Sequence, residues 1–282
     1  MIAGGSLNAE GLWFSYPGRE PALRDVNLEI GAGQFVALVG QNGSGKTTLA
    51  KQFNGLLRPE RGRVLIDGQE IAGRETADLA STIGYCYQNP DHQIFATTVA
   101  KEIEFGPRNL GISTEEVVAR TGRLLDLVRL RDEAERYPFS LGRGQRQKLA
   151  VASVLAMEPR ILIVDEPTTG LDWQGGEAMM RLMRELHEGG RTTVIITHDM
   201  NIVAEFAERA VVMAGGRIVA DGTPAEVFSR DDALREADLR APQAFQIGRR
   251  RPDLFRGQPL TIDEARQWLI PRSVVAPAGD PR

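Results

Sequence analysis

The chain has 282 residues, 26% of them charged, and a formal net charge of −4; this allows a large core in one or two domains and lacks the basic excess of a nucleic-acid binder. Its one cysteine, Cys86, excludes an internal disulfide, fits a reducing compartment and sits in an apolar run, as a buried structural thiol does. No apolar run approaches the roughly eighteen residues that span a bilayer, and residues 1–6 have neither the basic start nor the apolar core of a signal peptide, so the expectation is a soluble, cytoplasmic protein.

Residues 7–16 alternate loosely and end in Phe14-Ser15-Tyr16-Pro17-Gly18, a strand running into a turn. Residues 26–30 alternate again, and Gly31-Ala32-Gly33 turns the chain into Phe35-Val36-Ala37-Leu38-Val39, an apolar run that reads as a buried strand. Gly40-Gln41-Asn42-Gly43-Ser44-Gly45-Lys46-Thr47-Thr48 follows, and residues 49–57 then carry apolar side chains at helical spacing. Strand, glycine-rich loop and helix in that order are the context of a P-loop. Backbone N–H groups around Gly40, Asn42, Gly43, Ser44 and Gly45 can wrap a phosphate chain, and the helix N-terminus adds partial positive charge at the same point. Lys46 then reaches the β- and γ-phosphates, the Thr47 hydroxyl ligates Mg²⁺, and Thr48 touches the α-phosphate. Tyr16, an aromatic ahead of this loop, either stacks an adenine ring or is a core residue at a strand end. Arg63-Val64-Leu65-Ile66 reads as another strand, so residues 1–80 suggest an antiparallel β layer around a P-loop core.

Ile83-Gly84-Tyr85-Cys86-Tyr87 is a further strand, ending at Gln88-Asn89-Pro90-Asp91-His92-Gln93. Pro90 disfavours helix at Asn89, which holds Gln88 at a strand end or in a loop, where its amide can meet Mg²⁺ or orient a water. His92 has no second His or Cys at ligand spacing, so no metal centre is expected there. From residue 97 to residue 157 the pattern is helical, with an apolar stripe at Val118, Leu124, Leu125 and Val128 and an N-cap signal at Ser113. Pro138-Phe139-Ser140-Leu141-Gly142-Arg143-Gly144-Gln145 breaks the pattern, and a helix starting near Gln145 offers a second anion-binding N-terminus.

Ile161-Leu162-Ile163-Val164-Asp165-Glu166-Pro167 sets two carboxylates at the end of a strand buried on both faces, the mark of a parallel sheet whose carboxyl edge binds ligands. Asp165 there can hold a Mg²⁺ shell, and Glu166 can accept a proton from an attacking water. Residues 173–187 form a helix and residues 192–197 a third buried strand, followed by His198, which can meet a γ-phosphate or the water. Val211-Val212-Met213 and Arg217-Ile218-Val219 read as a hairpin, and Pro224 opens a short helix. Residues 231–282 are Arg-rich and punctuated by Pro242, Pro252, Pro259 and Pro271, with one helix signal over residues 262–269, and read as a small appendage.

Taken together, these motifs resemble the ATP-binding subunits of ABC transporters, in order, over residues 7–230. Residues 40–48 resemble that family's Walker A, residues 161–166 its Walker B with catalytic glutamate, Gln88 its Q-loop, Thr169-Gly170-Leu171-Asp172 its D-loop, and His198 its switch histidine. Tyr16 sits where the family stacks adenine. Asn89-Pro90-Asp91-His92-Gln93-Ile94, residues 102–111 and the tail around residues 260–269 are similar to the energy-coupling factor group, which includes cobalt- and vitamin-importer ATPases. One departure stands out. The family signature Leu-Ser-Gly-Gly-Gln is here Leu141-Gly142-Arg143-Gly144-Gln145, without the serine that donates to the γ-phosphate across a dimer.

The resemblance implies an α/β P-loop NTPase of the ABC ATPase type. It comprises an ATP-binding domain over residues 1–230, a helical subdomain inserted at about residues 89–158 and a small C-terminal extension over residues 231–282. It implies ATP and Mg²⁺ as ligands and Glu166, His198 and Lys46 as the catalytic set. Its partners are a second ATP-binding subunit, with a heterodimer favoured by the altered signature, a transmembrane coupling subunit and a substrate-binding membrane subunit, but no nucleic acid. The place is the cytoplasmic face of the cell membrane, with coupling helices docked near residues 88–94 and Asp91 as a docking point. Another ABC transporter class, a soluble ABC ATPase and an ATP-binding interaction protein are the alternatives.

Overall fold

Apolar runs bounded by glycine turns decide where strands form, and the computed structural model follows them over residues 2–270, the residues it describes. The expectations for Met1 and for the end of the C-terminal extension, Pro271 included, lie outside the described residues. In chain order the elements are β1 (Leu7–Ser15), β2 (Pro21–Ile30), β3 (Phe35–Val39), α1 (Lys46–Phe53), β4 (Arg61–Ile66), β5 (Gln69–Glu70), α2 (Thr76–Leu79) and β6 (Ile83–Cys86). There follow α3 (Val99–Asn109), α4 (Thr114–Val128), α5 (Arg143–Leu155), β7 (Ile161–Asp165), α6 (Trp173–Glu188), β8 (Thr192–Thr197), α7 (Met200–Phe206), β9 (Arg209–Ala214) and β10 (Arg217–Gly222). The chain closes with α8 (Pro224–Ser229), α9 (Asp231–Glu236), α10 (Gln243–Arg250) and α11 (Ile262–Trp268).

Two sheets result. The antiparallel one runs β2-β1-β4-β5; the other runs β10-β9-β3-β8-β7-β6, parallel from β9 to β6 with β10 as an antiparallel edge. Every residue of β3, β7 and β8 is buried, as expected for strands covered on both faces. Successive side chains point to opposite faces, so Ile161 and Ile163 of β7 join the core between the sheets, with Leu49 and Phe53 of α1 and Leu12 and Val26 of the antiparallel layer. Leu162 and Val164 join the second core, with Ile103 of α3, Leu149 of α5 and Met179 and Met183 of α6.

Three local departures from the sequence reading have physical causes. The helix after the glycine loop begins at Lys46 and stops at Phe53, because Asn54 caps it and Gly55 takes φ 73°. Helix α5 begins at Arg143, two residues early, with Gly142 as its cap. Val118, expected in the buried stripe of α4, is 56% exposed; the buried face runs through Val117, Thr121, Leu125 and Val128. That face holds true helical spacing but passes through a polar residue, so an apolar pattern alone misplaces it. Ser113 does cap α4, its side chain accepting from the Glu116 N–H.

The Arg-rich tail contains α9 and α10 as well as the expected α11. Ala233, Leu234, Ala237 and Phe245 lie in the same core cluster as the parallel sheet, and the Phe245 ring meets Phe228 edge-on, 5.6 Å between centroids. Residues 231–245 therefore pack as part of the main body. Truncating a buried aromatic typically removes 3–5 kcal/mol, so Phe245→Ala is expected to lower unfolding free energy by about 3–5 kcal/mol, measured by urea denaturation of the whole chain. An unchanged midpoint would mean the tail folds as a separate unit.

Candidate nucleotide-binding site

The carboxyl ends of β3, β7, β8 and β6 meet at one edge of the parallel sheet, and the glycine loop closes over that edge. Gly45, with φ 105°, caps α1; a Cβ there would sit 2.6 Å from the Ala22 carbonyl oxygen, so only glycine lets the loop pass so close to β2. On the other side the Gly216 N–H donates to the Ser44 carbonyl at 3.1 Å. The loop is thus clamped between the two sheets. Lys46, 6% exposed, donates from Nζ to the Gly40 carbonyl at 2.7 Å, the Gln41 carbonyl at 2.8 Å and Ser44 Oγ at 3.4 Å. Burial lowers its pKa, and the charges of Glu166 and Asp165 oppose that shift.

Asp165 ends β7. Its Oδ2 accepts from Thr47 Oγ1 at 2.8 Å and from the Tyr85 hydroxyl at 3.0 Å. Burial raises the Asp165 pKa, while the two hydroxyls and Lys46 hold it down. Glu166 turns out of the strand with φ 49°, a left-handed conformation uncommon for a non-glycine residue. Its N–H donates to the Ile196 carbonyl at 2.9 Å, which ties the turn to β8. Its carboxylate is held at both oxygens: Oε1 meets His198 Nδ1 at 2.8 Å and Oε2 accepts from Thr169 Oγ1 at 3.0 Å. His198 follows β8 directly and its ring is largely exposed.

Gly45, Lys46, Thr47, Asp165 and Glu166 line a cleft of about 460 Å³ with Tyr16, Asn42, Gly43, Thr48 and Gln88, within the ordinary size of a small-molecule site; His198 stands behind it, reaching it through Glu166. Tyr16 stands at its wall, its hydroxyl 3.2 Å from Thr48 Oγ1 and its ring edge-on to Phe14. Gln88 is exposed at the end of β6. The donor set fits a nucleoside triphosphate with Mg²⁺. A loop of backbone N–H groups at a helix start and a buried lysine suit a phosphate chain. A threonine hydroxyl beside one carboxylate suits a cation that takes few protein ligands and completes its shell with phosphate and water.

The signature residues and Asp172 are not among the residues lining this cleft. Leu141 is buried, and the Gly142 N–H donates to Gln145 Oε1 at 3.1 Å. The Arg143 guanidinium lies flat against Gly170, where a Cβ would sit 2.6 Å from its Nε and φ is 76°. Gly144 faces the Leu171 side chain, and Asp172 caps α6 by accepting from the Gly175 N–H at 2.7 Å. The two motifs therefore form one continuous surface. Asp91, expected among the docking carboxylates, is exposed and pairs with Arg146 of α5 at 2.7 Å. Sequence reasoning overlooked the roles of Tyr85, which meets Asp165 through the β6–β7 register, and of Thr169, which meets Glu166 across the turn that follows β7.

Comparison with known proteins adds to this geometry. The model of the family described as ABC transporter matches residues 23–169. The chain is 42% identical to the energy-coupling factor transporter ATP-binding protein EcfA2 of Clostridium perfringens, over 94% of this chain and 97% of that protein. It is 38% identical to the EcfA protein of Methanocaldococcus jannaschii, over 94% and 96% respectively. It spans less than half the length of two other curated relatives, 45% and 43%. Among solved structures it superposes on CbiO1 of Clostridium perfringens, described as part of the ABC transporter complex CbiONQ, with TM-score 0.74 and 34% identity over 88% of this chain and 96% of that one.

The contact between Arg143 and Gly170 carries a stability prediction. An L-residue in the left-handed region costs about 1–2 kcal/mol, and the added methyl would push the Arg143 side chain away. Gly170→Ala is expected to lower unfolding free energy by about 1–2 kcal/mol in urea titration; Gly170→Ala with no loss would mean that the loop does not hold this conformation in solution.

Proposed function

This chain belongs to the ABC transporter family, and on that premise we propose that it is the ATP-hydrolysing subunit of an importer of the energy-coupling factor type. Near-full-length similarity to EcfA proteins supports the type. The observation that carries hydrolysis is the Glu166–His198 pair, 2.8 Å apart, beside the glycine loop. Phosphoryl transfer needs little covalent chemistry from a protein; it needs positioning and charge stabilisation. Tyr16 stacks the base, and the N–H groups of the loop take the phosphates. Lys46 exchanges its carbonyl partners for phosphate oxygens, and Thr48 meets the α-phosphate. Thr47, Asp165 and Gln88 would hold Mg²⁺, which would supply charge neutralisation to the phosphate chain.

Glu166 orients a water toward the γ-phosphorus and takes its proton as the bond to the bridging oxygen breaks. Thr169 and His198 fix the plane of that carboxylate, so it does not have to reorganise during the reaction. His198 Nε2, which has no partner among the described residues, is the ring edge left for the γ-phosphate.

The signature, Leu141 to Gln145, and Asp172 lie outside this cleft and are read as the surface offered to a second ATP-binding subunit. Without a hydroxyl at Gly142 that surface lacks one hydrogen bond to a charged group, an interaction worth roughly 1.5–3 kcal/mol. This supports an unequal pair in which the other subunit supplies an intact signature. No described helix is long and apolar enough to cross a membrane; the partners in this reading are membrane subunits, a coupling subunit and a substrate-binding subunit for a vitamin or a transition-metal ion. The working place is the cytoplasmic face of the membrane.

Two experiments test this reading. Glu166→Gln is expected to bind ATP as the parent does and to turn it over at least about 100-fold more slowly, the usual share of a general base; equal turnover by single-cycle phosphate release would remove Glu166 from the chemistry. Affinity purification from detergent-solubilised host membranes should recover a polytopic membrane protein, a second ATPase and a small membrane subunit, identified by mass. Recovery of a soluble homodimer alone would overturn the transport assignment.

A further inference from the structure

Tyr85, which none of the recognised motifs includes, reaches the cation end of the cleft. It lies on β6 in parallel register with Ile163 of β7, so its side chain shares a face with Ile163 and, two residues on, with Asp165. Its ring is part of the core between the sheets and meets Tyr87 edge-on, 5.1 Å between centroids. Its hydroxyl donates to Asp165 Oδ2 at 3.0 Å, and the same oxygen accepts from Thr47 Oγ1 at 2.8 Å. Asp165 Oδ1 accepts from no side chain among the described residues. Two hydroxyls on one oxygen fix the plane of the carboxylate and leave the other oxygen as its free ligand atom.

We propose that Tyr85 is a positioning residue for the bound divalent cation, holding the Asp165 carboxylate in the orientation that leaves Oδ1 available to the metal. The Thr47 hydroxyl is itself drawn on by the cation in the proposed mechanism; the phenol has no other hydrogen-bond partner among the described residues. Groups behind a metal ligand characteristically change metal affinity by 10–100-fold when removed. The inference rests on reading Asp165 as a Mg²⁺ ligand.

The test uses the full chain in a Glu166→Gln background, so that ATP persists during titration. Calorimetry measures ATP affinity in EDTA and in Mg²⁺, and electron paramagnetic resonance measures Mn²⁺ binding to the ATP complex. Tyr85→Phe keeps the ring and removes only the hydroxyl. It is expected to leave metal-free ATP affinity within about twofold and to raise half-saturating Mn²⁺ about tenfold or more, with little change in melting temperature. In an Asp165→Asn background the same change should do nothing further. Unchanged Mn²⁺ affinity, an equal loss of ATP affinity with and without metal, or a Tyr85→Phe chain that melts far below the parent would each overturn the proposal. A parent whose ATP affinity is indifferent to Mg²⁺ would overturn the reading of Asp165 as well. A Mg²⁺-dependent parent beside an indifferent Tyr85→Phe would overturn only the role of Tyr85.

Discussion

Three charged side chains, Lys46, Asp165 and Glu166, are buried together at the carboxyl edge of the parallel sheet, and much of the architecture serves to make that tolerable. An unpaired buried charge is among the most destabilising features a fold can contain. Each of the three is therefore enclosed by hydrogen-bond partners. Lys46 takes two carbonyls of its own loop, Asp165 takes hydroxyls from α1 and β6, and Glu166 takes a histidine after β8 and a threonine after β7. The hydroxyls on Asp165 and the histidine on Glu166 can be supplied only because β3, β6, β7 and β8 lie in the strand order observed.

The antiparallel sheet has a part in the same constraint. It covers one face of the parallel sheet and also brings the Ala22 carbonyl against Gly45 and Tyr16 against Thr48. The β9–β10 hairpin braces the loop from the other side through Gly216 and Ser44. A loop held from both layers keeps its N–H groups converging without help from a ligand. Less ordering entropy then has to be lost on binding, which is the physical content of preorganisation.

Much of this was legible in the sequence, for reasons that separate local from tertiary information. The glycine loop, the two-carboxylate strand end and His198 announce themselves because their chemistry is carried by neighbours along the chain. The parallel strands are legible because they are apolar throughout. Val118 was misplaced because Thr121 completes the buried face of α4, and helices α9 and α10 went unread because their burial comes from the sheet they pack on. Tyr85 and Thr169 could be found only once the β6–β7 register and the turn after Glu166 were known. The altered residue Arg143 was visible from sequence, but its seat on Gly170 was not, since that depends on two segments that meet only in the folded chain.

That seat changes how the altered signature should be understood. A serine at Gly142 would act alone, through one hydroxyl. Arg143 instead leans across to the segment of residues 169–172, and that segment also contains Thr169, which holds the Glu166 carboxylate. On the proposed reading, the surface offered to a second subunit is thereby connected, through a few residues, to the group that orients water in this chain's own cleft. Displacement of Arg143 by a partner would act on the segment from which Thr169 projects. On that reading Gly142 removes a contact across a pair while Arg143 adds one within the subunit, and an unequal pair would then differ in mechanism as well as in sequence.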